Sequence, residues 1–191
     1  PRPKPPNARG EPPGRALAAL RAWAQGRGLE SLIEYCDHAA QAAPVIAGLC
    51  LPGPTGESNV YHVTARDSVL CLVDPHPAAD QDRLLQLSAV LAVGGDAVWT
   101  RDARDLFQRL PPEVRDRIRV ADDWNSPDVG FDAVLHLGSP RSWLDTAATL
   151  AARPGPIISI TGLAPGDAQI PLERLVVERS VSTNTAAAGG N

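Results

Sequence analysis

The side chains suited to catalysis or metal binding are few and widely spaced along the chain. There are four histidines and three cysteines, namely His38, His62, His76, His136, Cys36, Cys50 and Cys71. No histidine has a second histidine or a cysteine at metal-ligand spacing, and no Cys-x-x-Cys pair occurs. Cys71 lies within an apolar run, which favours a packed thiol over a nucleophile that needs a base and a positive environment. We therefore expect no catalytic residue and no metal site in this chain.

One dipeptide lies where ligands often bind in α/β proteins. Gly138 and Ser139 end a predicted strand and open a predicted helix. A serine at that position can present its hydroxyl and the nearby amides to a phosphate. Serine is also a favoured helix N-cap, and this is the interpretation we prefer. Phosphate binding stays open as the alternative.

Two other glycine-containing segments are interpreted as structural. Residues 53–57, Gly-Pro-Thr-Gly-Glu, resemble a phosphate-binding turn, but they lack its glycine spacing and precede a strand instead of a helix. Gly94 and Gly95 follow a predicted helix, which is typical of a C-terminal cap.

Composition limits the classes of protein to which the chain can belong. Hydrophobic residues make up 43% of its 191 residues and are mostly Ala, Leu and Val, as in layered α/β proteins. The net charge is −4 and the basic residues form no stripe, which argues against a nucleic-acid module. No apolar run has the length of a membrane span and no signal peptide is recognisable. The cysteine usage favours a reducing cytoplasm.

The chain is expected to be part of a larger protein. It contains no methionine, opens within a proline-rich run and ends on small, flexible residues. Six prolines and two glycines among residues 1–14 predict a disordered linker there.

The order of elements predicts a Rossmann-like, doubly wound parallel sheet of about five strands. Apolar runs predict its strands over 69–73, 97–99, 118–120, 131–137 and 157–160. Helical periodicity predicts helices over 15–25, 29–43, 80–93, 103–110, 112–117 and 140–153. Alternation of strands and helices at this interval is typical of a parallel sheet. We divide the chain into a linker (1–14), a helical lead-in (15–51), the α/β domain (52–168) and a terminal arm (169–191).

The terminal arm is predicted to be one strand of an antiparallel β-flap. Residues 170–180 are apolar and β-branched with interspersed charges, and no helix separates them from the preceding strand. They could pair with the alternating segment 60–63. Two strands alone are marginally stable in water, so the flap is expected to lie against another domain or subunit.

Several segments together carry a family resemblance. They are residues 53–59, 69–72 (Val-Leu-Cys-Leu), 86–95, 172–175 (Leu-Glu-Arg-Leu) and the closing motif 178–191, Glu-Arg-Ser-Val-Ser-Thr-Asn-Thr-Ala-Ala-Ala-Gly-Gly-Asn. From about Leu20 to its end, the chain resembles the C-terminal domain of the proline utilization A family. The closing motif is the most specific of these segments, because its length and composition are improbable by chance.

The resemblance implies a role within a larger enzyme. Members of the family join an FAD-dependent proline dehydrogenase to an NAD-dependent glutamate semialdehyde dehydrogenase, and together they oxidise proline to glutamate. Some members add an N-terminal DNA-binding domain, through which alone nucleic acid would be bound. The longer members end in a domain that is similar to an aldehyde dehydrogenase without being active. The resemblance thus implies FAD and NAD in the parent enzyme but no cofactor in this domain.

The resemblance implies that the residues at the positions of an aldehyde dehydrogenase site differ from those of active enzymes. Residues 73–77, Val-Asp-Pro-His-Pro, replace the segment that carries the oxyanion-binding Asn, and Ile160 replaces the catalytic Glu. No cysteine follows Cys71, so the nucleophile is missing. Arg101 replaces the ribose-binding Lys, and only Gly138 and Ser139 match the cofactor-binding motif. These last three residues are weak cofactor-binding candidates.

The resemblance also names the partners of the domain. It implies packing on the upstream dehydrogenase domains and closure of the channel for the intermediate, with the parent cytoplasmic or peripheral at the inner membrane. The alternatives are an NAD-binding domain in its own right and an oligomerisation domain, for instance of a homodimer. The residues expected to pack between domains belong to the closing motif: Thr183, Asn184, Thr185, Gly189, Gly190 and Asn191.

Overall fold

Segments of apolar sequence determine where the elements form. The computed structural model describes residues 14–184. In this range the helices are α1 (Arg15–Gln25), α2 (Glu30–Ala42), α3 (Ala79–Val93), α4 (Arg104–Arg109), α5 (Pro112–Arg115) and α6 (Pro140–Ala151). The strands are β1 (Ile46–Leu51), β2 (Glu57–Ala65), β3 (Ser68–Val73), β4 (Asp96–Thr100), β5 (Ile118–Ala121), β6 (Ala133–Leu137), β7 (Ser159–Leu163) and β8 (Val176–Asn184). Short 3₁₀ helices cover Arg101–Ala103 and Leu172–Leu175.

Five strands form a parallel sheet in the order β5-β4-β3-β6-β7. In the centre of the sheet, Leu70 of β3 lies beside Val98 of β4 and Val134 of β6. The next two strands in the chain, β4 and β5, lie on one side of β3 in the sheet. The last two, β6 and β7, lie on its other side. The predicted doubly wound sheet is therefore confirmed. Its order reverses between β3 and β6, which is where ligands bind in such sheets.

The sheet is covered on both faces. Val69, Cys71 and Trp99 face one core cluster, which α1, α2 and α3 complete. Leu70 and Val98 face a second, smaller cluster that includes Leu150 of α6. Because consecutive residues of a strand point to opposite faces, a strand covered on both sides has to be apolar throughout.

The remaining strands form an antiparallel sheet in the order β1-β2-β8, which we call the flap. The predicted pairing is confirmed, since Tyr61 lies opposite Ser180 and Val63 opposite Glu178. The expectation of a helical lead-in as far as residue 51 was wrong, because β1 pairs with β2 over Ile46–Leu51. Backbone hydrogen bonds to β2 thus decide the conformation of this short apolar run.

Further boundaries also differ from the sequence predictions. Residues 172–175 form a 3₁₀ helix instead of a strand, because Leu172 and Leu175 lie on the same side and both enter the core. The last strand of the parallel sheet begins at Ser159, and Ile157 is fully exposed. β2 begins at Glu57, within the predicted turn. The linker 1–13 lies outside the described residues.

The flap is anchored at one end and exposed along the rest. Val63 and Val176 are buried in the large core cluster, and the Arg66 amide donates to the Leu175 carbonyl at 2.9 Å. After Val176, every residue of β8 is exposed. Among residues 14–184, no helix is long and apolar enough to cross a membrane.

Candidate functional site

The ends of β3 and β6 meet at the reversal of strand order. Asp74 follows β3, while Gly138 and Ser139 follow β6 and precede α6. The Asp74 amide donates to the Leu137 carbonyl at 2.9 Å, which fixes the first loop beside the second. The fold therefore brings together two loops that are far apart in the sequence.

The Asp74 carboxylate occupies the N-terminus of α6. Its Oδ2 accepts hydrogen bonds from the Ser139 amide at 2.8 Å and from Ser142 Oγ at 2.6 Å. Ser139 Oγ accepts a hydrogen bond from the Ser142 amide at 3.1 Å, which confirms the predicted N-cap. An acidic group is stabilised at this end of a helix by the unpaired amides and the helix dipole.

His136 of β6 completes this group of polar side chains. It is only 3% exposed, and its Nε2 lies 3.4 Å from Ser142 Oγ and 3.7 Å from Asp74 Oδ1. A hydrolytic triad would place the serine and the carboxylate on opposite ring nitrogens. Here the Ser142 hydroxyl and the Asp74 carboxylate both lie near Nε2, and the hydroxyl donates its hydrogen bond to the carboxylate. These three side chains are therefore not arranged for nucleophilic catalysis.

The charges of this cluster are set by burial and hydrogen bonding. Partial burial acts to raise the pKa of Asp74, but the hydrogen bonds from Ser142 and Ser139 and the nearby His136 outweigh it and lower the pKa. Burial lowers the pKa of His136, which the Asp74 carboxylate only partly offsets. A charged carboxylate beside a neutral imidazole follows from these directions at neutral pH.

Two glycines at the strand ends provide space that the chain itself fills. A Cβ on Gly138 would overlap the Asp74 carboxylate. A Cβ on Gly162, near the end of β7, would overlap the indole of Trp143 from α6. The space next to the two glycines is thus filled by an internal carboxylate and an internal aromatic ring.

Arg101 lies in a separate part of the surface. It begins the 3₁₀ turn after β4 and lines an open cleft of about 670 Å³ to which neither Gly138 nor Ser139 contributes. Its Nε lies 3.0 Å from Asp122 Oδ1, which also pairs with Arg104. The guanidinium is therefore paired within the chain.

Sequence reasoning missed the buried carboxylate of Asp82, in the first turn of α3. It is 1% exposed and lies 2.9 Å from His76 Nε2. Its carboxylate also accepts a hydrogen bond from the Gly166 amide at 3.0 Å. Asp82 therefore joins the loop after β3 to the loop after β7. Its signal in the sequence was an acidic residue just before the apolar run of α3.

Two further residues singled out in the sequence, Ile160 and Cys71, lie against or within the core. Ile160 of β7 packs against the smaller core cluster. Burial raises the pKa of the Cys71 thiol, which disfavours the reactive thiolate. Among residues 14–184, no group of three or more His, Cys, Asp or Glu side chains could hold a metal ion.

The predicted interdomain residues are only partly within the described chain. Thr183 and Asn184 end β8, opposite Ser58 and Glu57, and both are exposed. The other residues of this prediction lie outside the described residues, namely Thr185, Gly189, Gly190 and Asn191.

The sequence is similar to a segment of much longer proteins. It is 45% identical to the bifunctional protein PutA of Salmonella typhimurium and 44% identical to that of Escherichia coli, over 177 residues in each case. These alignments cover 92% of this chain. The chain corresponds to a domain of PutA. The family resemblance is thereby confirmed, and the chain spans only 13% of the length of these PutA proteins.

Solved structures share the fold of this PutA domain. A mutant of proline utilization A from Bradyrhizobium japonicum has a TM-score of 0.59 at 21% identity, covering 80% of this chain and 20% of that one. An NAD-dependent benzaldehyde dehydrogenase from Corynebacterium glutamicum has a TM-score of 0.55 at 15% identity, covering 81% and 42%. These likenesses confirm an aldehyde dehydrogenase-like fold. No family model matches the chain.

Proposed function

We propose that this chain is a non-catalytic domain of a bifunctional PutA-type enzyme that oxidises proline to glutamate. In this proposal the parent uses FAD and NAD, and the domain binds neither. Its role is to support the assembly of the neighbouring dehydrogenase module and to close the channel along which the semialdehyde intermediate passes. Two observations support the non-catalytic part of the proposal. No cysteine follows Cys71, and side chains of the chain itself fill the space at the carboxyl ends of β3, β6 and β7, which we call the crevice.

The observation that carries the packing role is the exposure of the flap. Residues directly opposite each other in an antiparallel pair share a face, so Cys50, Val60 and Val181 lie on one face of the flap. Leu49 and Leu51 lie on the other. Val181, Leu49 and Leu51 are 41%, 49% and 39% exposed. A three-stranded sheet with apolar side chains on both exposed faces is typical of a surface that another domain covers.

The packing role predicts the effect of placing a charge in the flap. In the full-length parent enzyme, Val181→Asp is expected to lower the coupled conversion of proline to glutamate by about tenfold, since a carboxylate buried without a partner opposes packing. Proline oxidation alone is expected to stay unchanged. The measurement is the rate and the lag of NADH formation from proline, compared with dye-coupled proline oxidation.

Two matched variants control for stability and charge. Val181→Thr keeps the β-branched shape without a charge, and Ala148→Asp places the same charge on the exposed side of α6. Both are expected to retain the coupled rate. An unchanged rate and lag in Val181→Asp would contradict the proposal. If that variant changed only the mass in solution, the flap would serve self-association instead.

A further inference from the structure

The crevice at the reversal of strand order already contains an anion. The Asp74 carboxylate accepts the Ser139 amide hydrogen bond and the Ser142 hydroxyl hydrogen bond at the start of the twelve-residue helix α6. These are the donors that a phosphate group would use at such a position. The carboxylate is supplied by the loop after the neighbouring strand β3 and not by α6 itself.

A buried imidazole faces the same position. His136 is 97% buried, given its 3% exposure, and its Nε2 points towards the Asp74 carboxylate and Ser142. Its Nδ1 has no hydrogen-bond partner within the described part of the chain. Nε2, and not Nδ1, is the ring nitrogen that faces the anion. It adds a third polar group to the two donors from α6.

The glycine next to this cluster leaves the space that the carboxylate uses. A side chain at Gly138 would overlap Asp74, and a side chain at Gly162 would overlap the indole of Trp143. The glycines at the carboxyl ends of β6 and β7 therefore leave space beside the backbone, and side chains of the same chain fill that space.

We propose that the crevice is a phosphate-type anion site that the chain occupies with its own residue. Asp74 takes the place of a ligand phosphate group, and Trp143 covers the adjoining space. The charge and position of Asp74 keep nucleotide phosphates out and hold the loop after β3 on α6. This inference does not depend on the packing role, because it concerns the isolated chain and not flux in the parent.

Removing the internal anion should open the site. In the 191-residue chain, Asp74→Ala leaves the Ser139 amide, Ser142 Oγ and His136 without their anionic partner. We expect this variant to bind inorganic phosphate about tenfold more tightly than the unchanged chain, as the strength of anion binding at a helix N-terminus suggests. The measurement is the rise in thermal midpoint with phosphate concentration, in chloride buffer of constant ionic strength.

Two variants separate the site from general effects of charge. Asp74→Asn fills the same space without the charge and is expected to gain much less affinity for phosphate than Asp74→Ala. Asp145→Ala removes an exposed carboxylate from the same helix and is expected to respond as the unchanged chain does.

The outcome that overturns the inference is equal stabilisation by phosphate of Asp74→Ala, Asp145→Ala and the unchanged chain. If Asp74→Ala is unfolded in chloride, phosphate is expected to restore its circular dichroism spectrum. Failure of phosphate to do so would equally overturn the inference, while leaving the coupled flux of the parent as a separate question.

Discussion

Replacing Trp99 with alanine is expected to lower the free energy of unfolding by about 3–5 kcal/mol. Trp99 lies in the middle of β4, is fully buried and belongs to the large core cluster that joins the sheet to α1, α2 and α3. Its indole nitrogen has no hydrogen-bond partner among residues 14–184, so the loss is one of apolar contact and cavity formation. Urea denaturation followed by circular dichroism measures the change.

The matched control is Trp23→Ala, which removes the same side chain from α1. Trp23 is only partly buried, stacks with Arg27 and donates to the Arg109 carbonyl at 2.8 Å. We expect a cost of about 1 kcal/mol from this change, the size of one net hydrogen bond. If the two variants lost the same stability, Trp99 would not contribute more to the core than the partly buried Trp23, and the prediction would be wrong.

Asp82→Ala is expected to cost about 2–3 kcal/mol, because it leaves buried donors without their acceptor. The variant removes the partner of His76 Nε2 and of the Gly166 amide and so releases two loops from α3. Beyond the loss of stability, faster amide hydrogen exchange is expected at the Gly166 amide, measured by NMR on the 191-residue chain.

Asp80→Ala is the control for the acidic charge in the first turn of α3. Asp80 also lies there, but its side chain is 50% exposed. It pairs with the exposed Arg109 and with the buried Arg83, which has Asp102 as a second partner. Its loss is expected to cost less than about 1 kcal/mol. A cost for Asp82→Ala no greater than that for Asp80→Ala would contradict the role of Asp82 in joining the loops.

The parallel sheet could be predicted because its strands are apolar on both faces. The predicted strands 69–73 and 131–137 carry that pattern without reference to the rest of the chain, and they contain most of β3 and all of β6. β1 could not be predicted in the same way. Its sequence, Ile-Ala-Gly-Leu-Cys-Leu, is a short apolar run that suits a helix or a strand, and pairing with β2 makes it a strand.

The candidate site was predicted only where it depends on local sequence. Ser139 before Pro140 indicates a helix start, and the structure confirms its capping bond to Ser142. The role of Asp74 depends on β3 and β6 becoming neighbours, and Asp74 and Ser139 are 65 positions apart. The pairing of Arg101 with Asp122 likewise depends on the adjacency of β4 and β5. Such contacts follow from the topology and not from any motif.

Calorimetric titration of the 191-residue chain with NAD tests most directly the claim that this dehydrogenase-like fold has its cofactor crevice filled by its own side chains. We predict no saturable heat of binding, because the Asp74 carboxylate and the Trp143 indole occupy the space beside Gly138 and Gly162. Saturable binding at micromolar NAD that Ser139→Tyr abolishes would contradict the account.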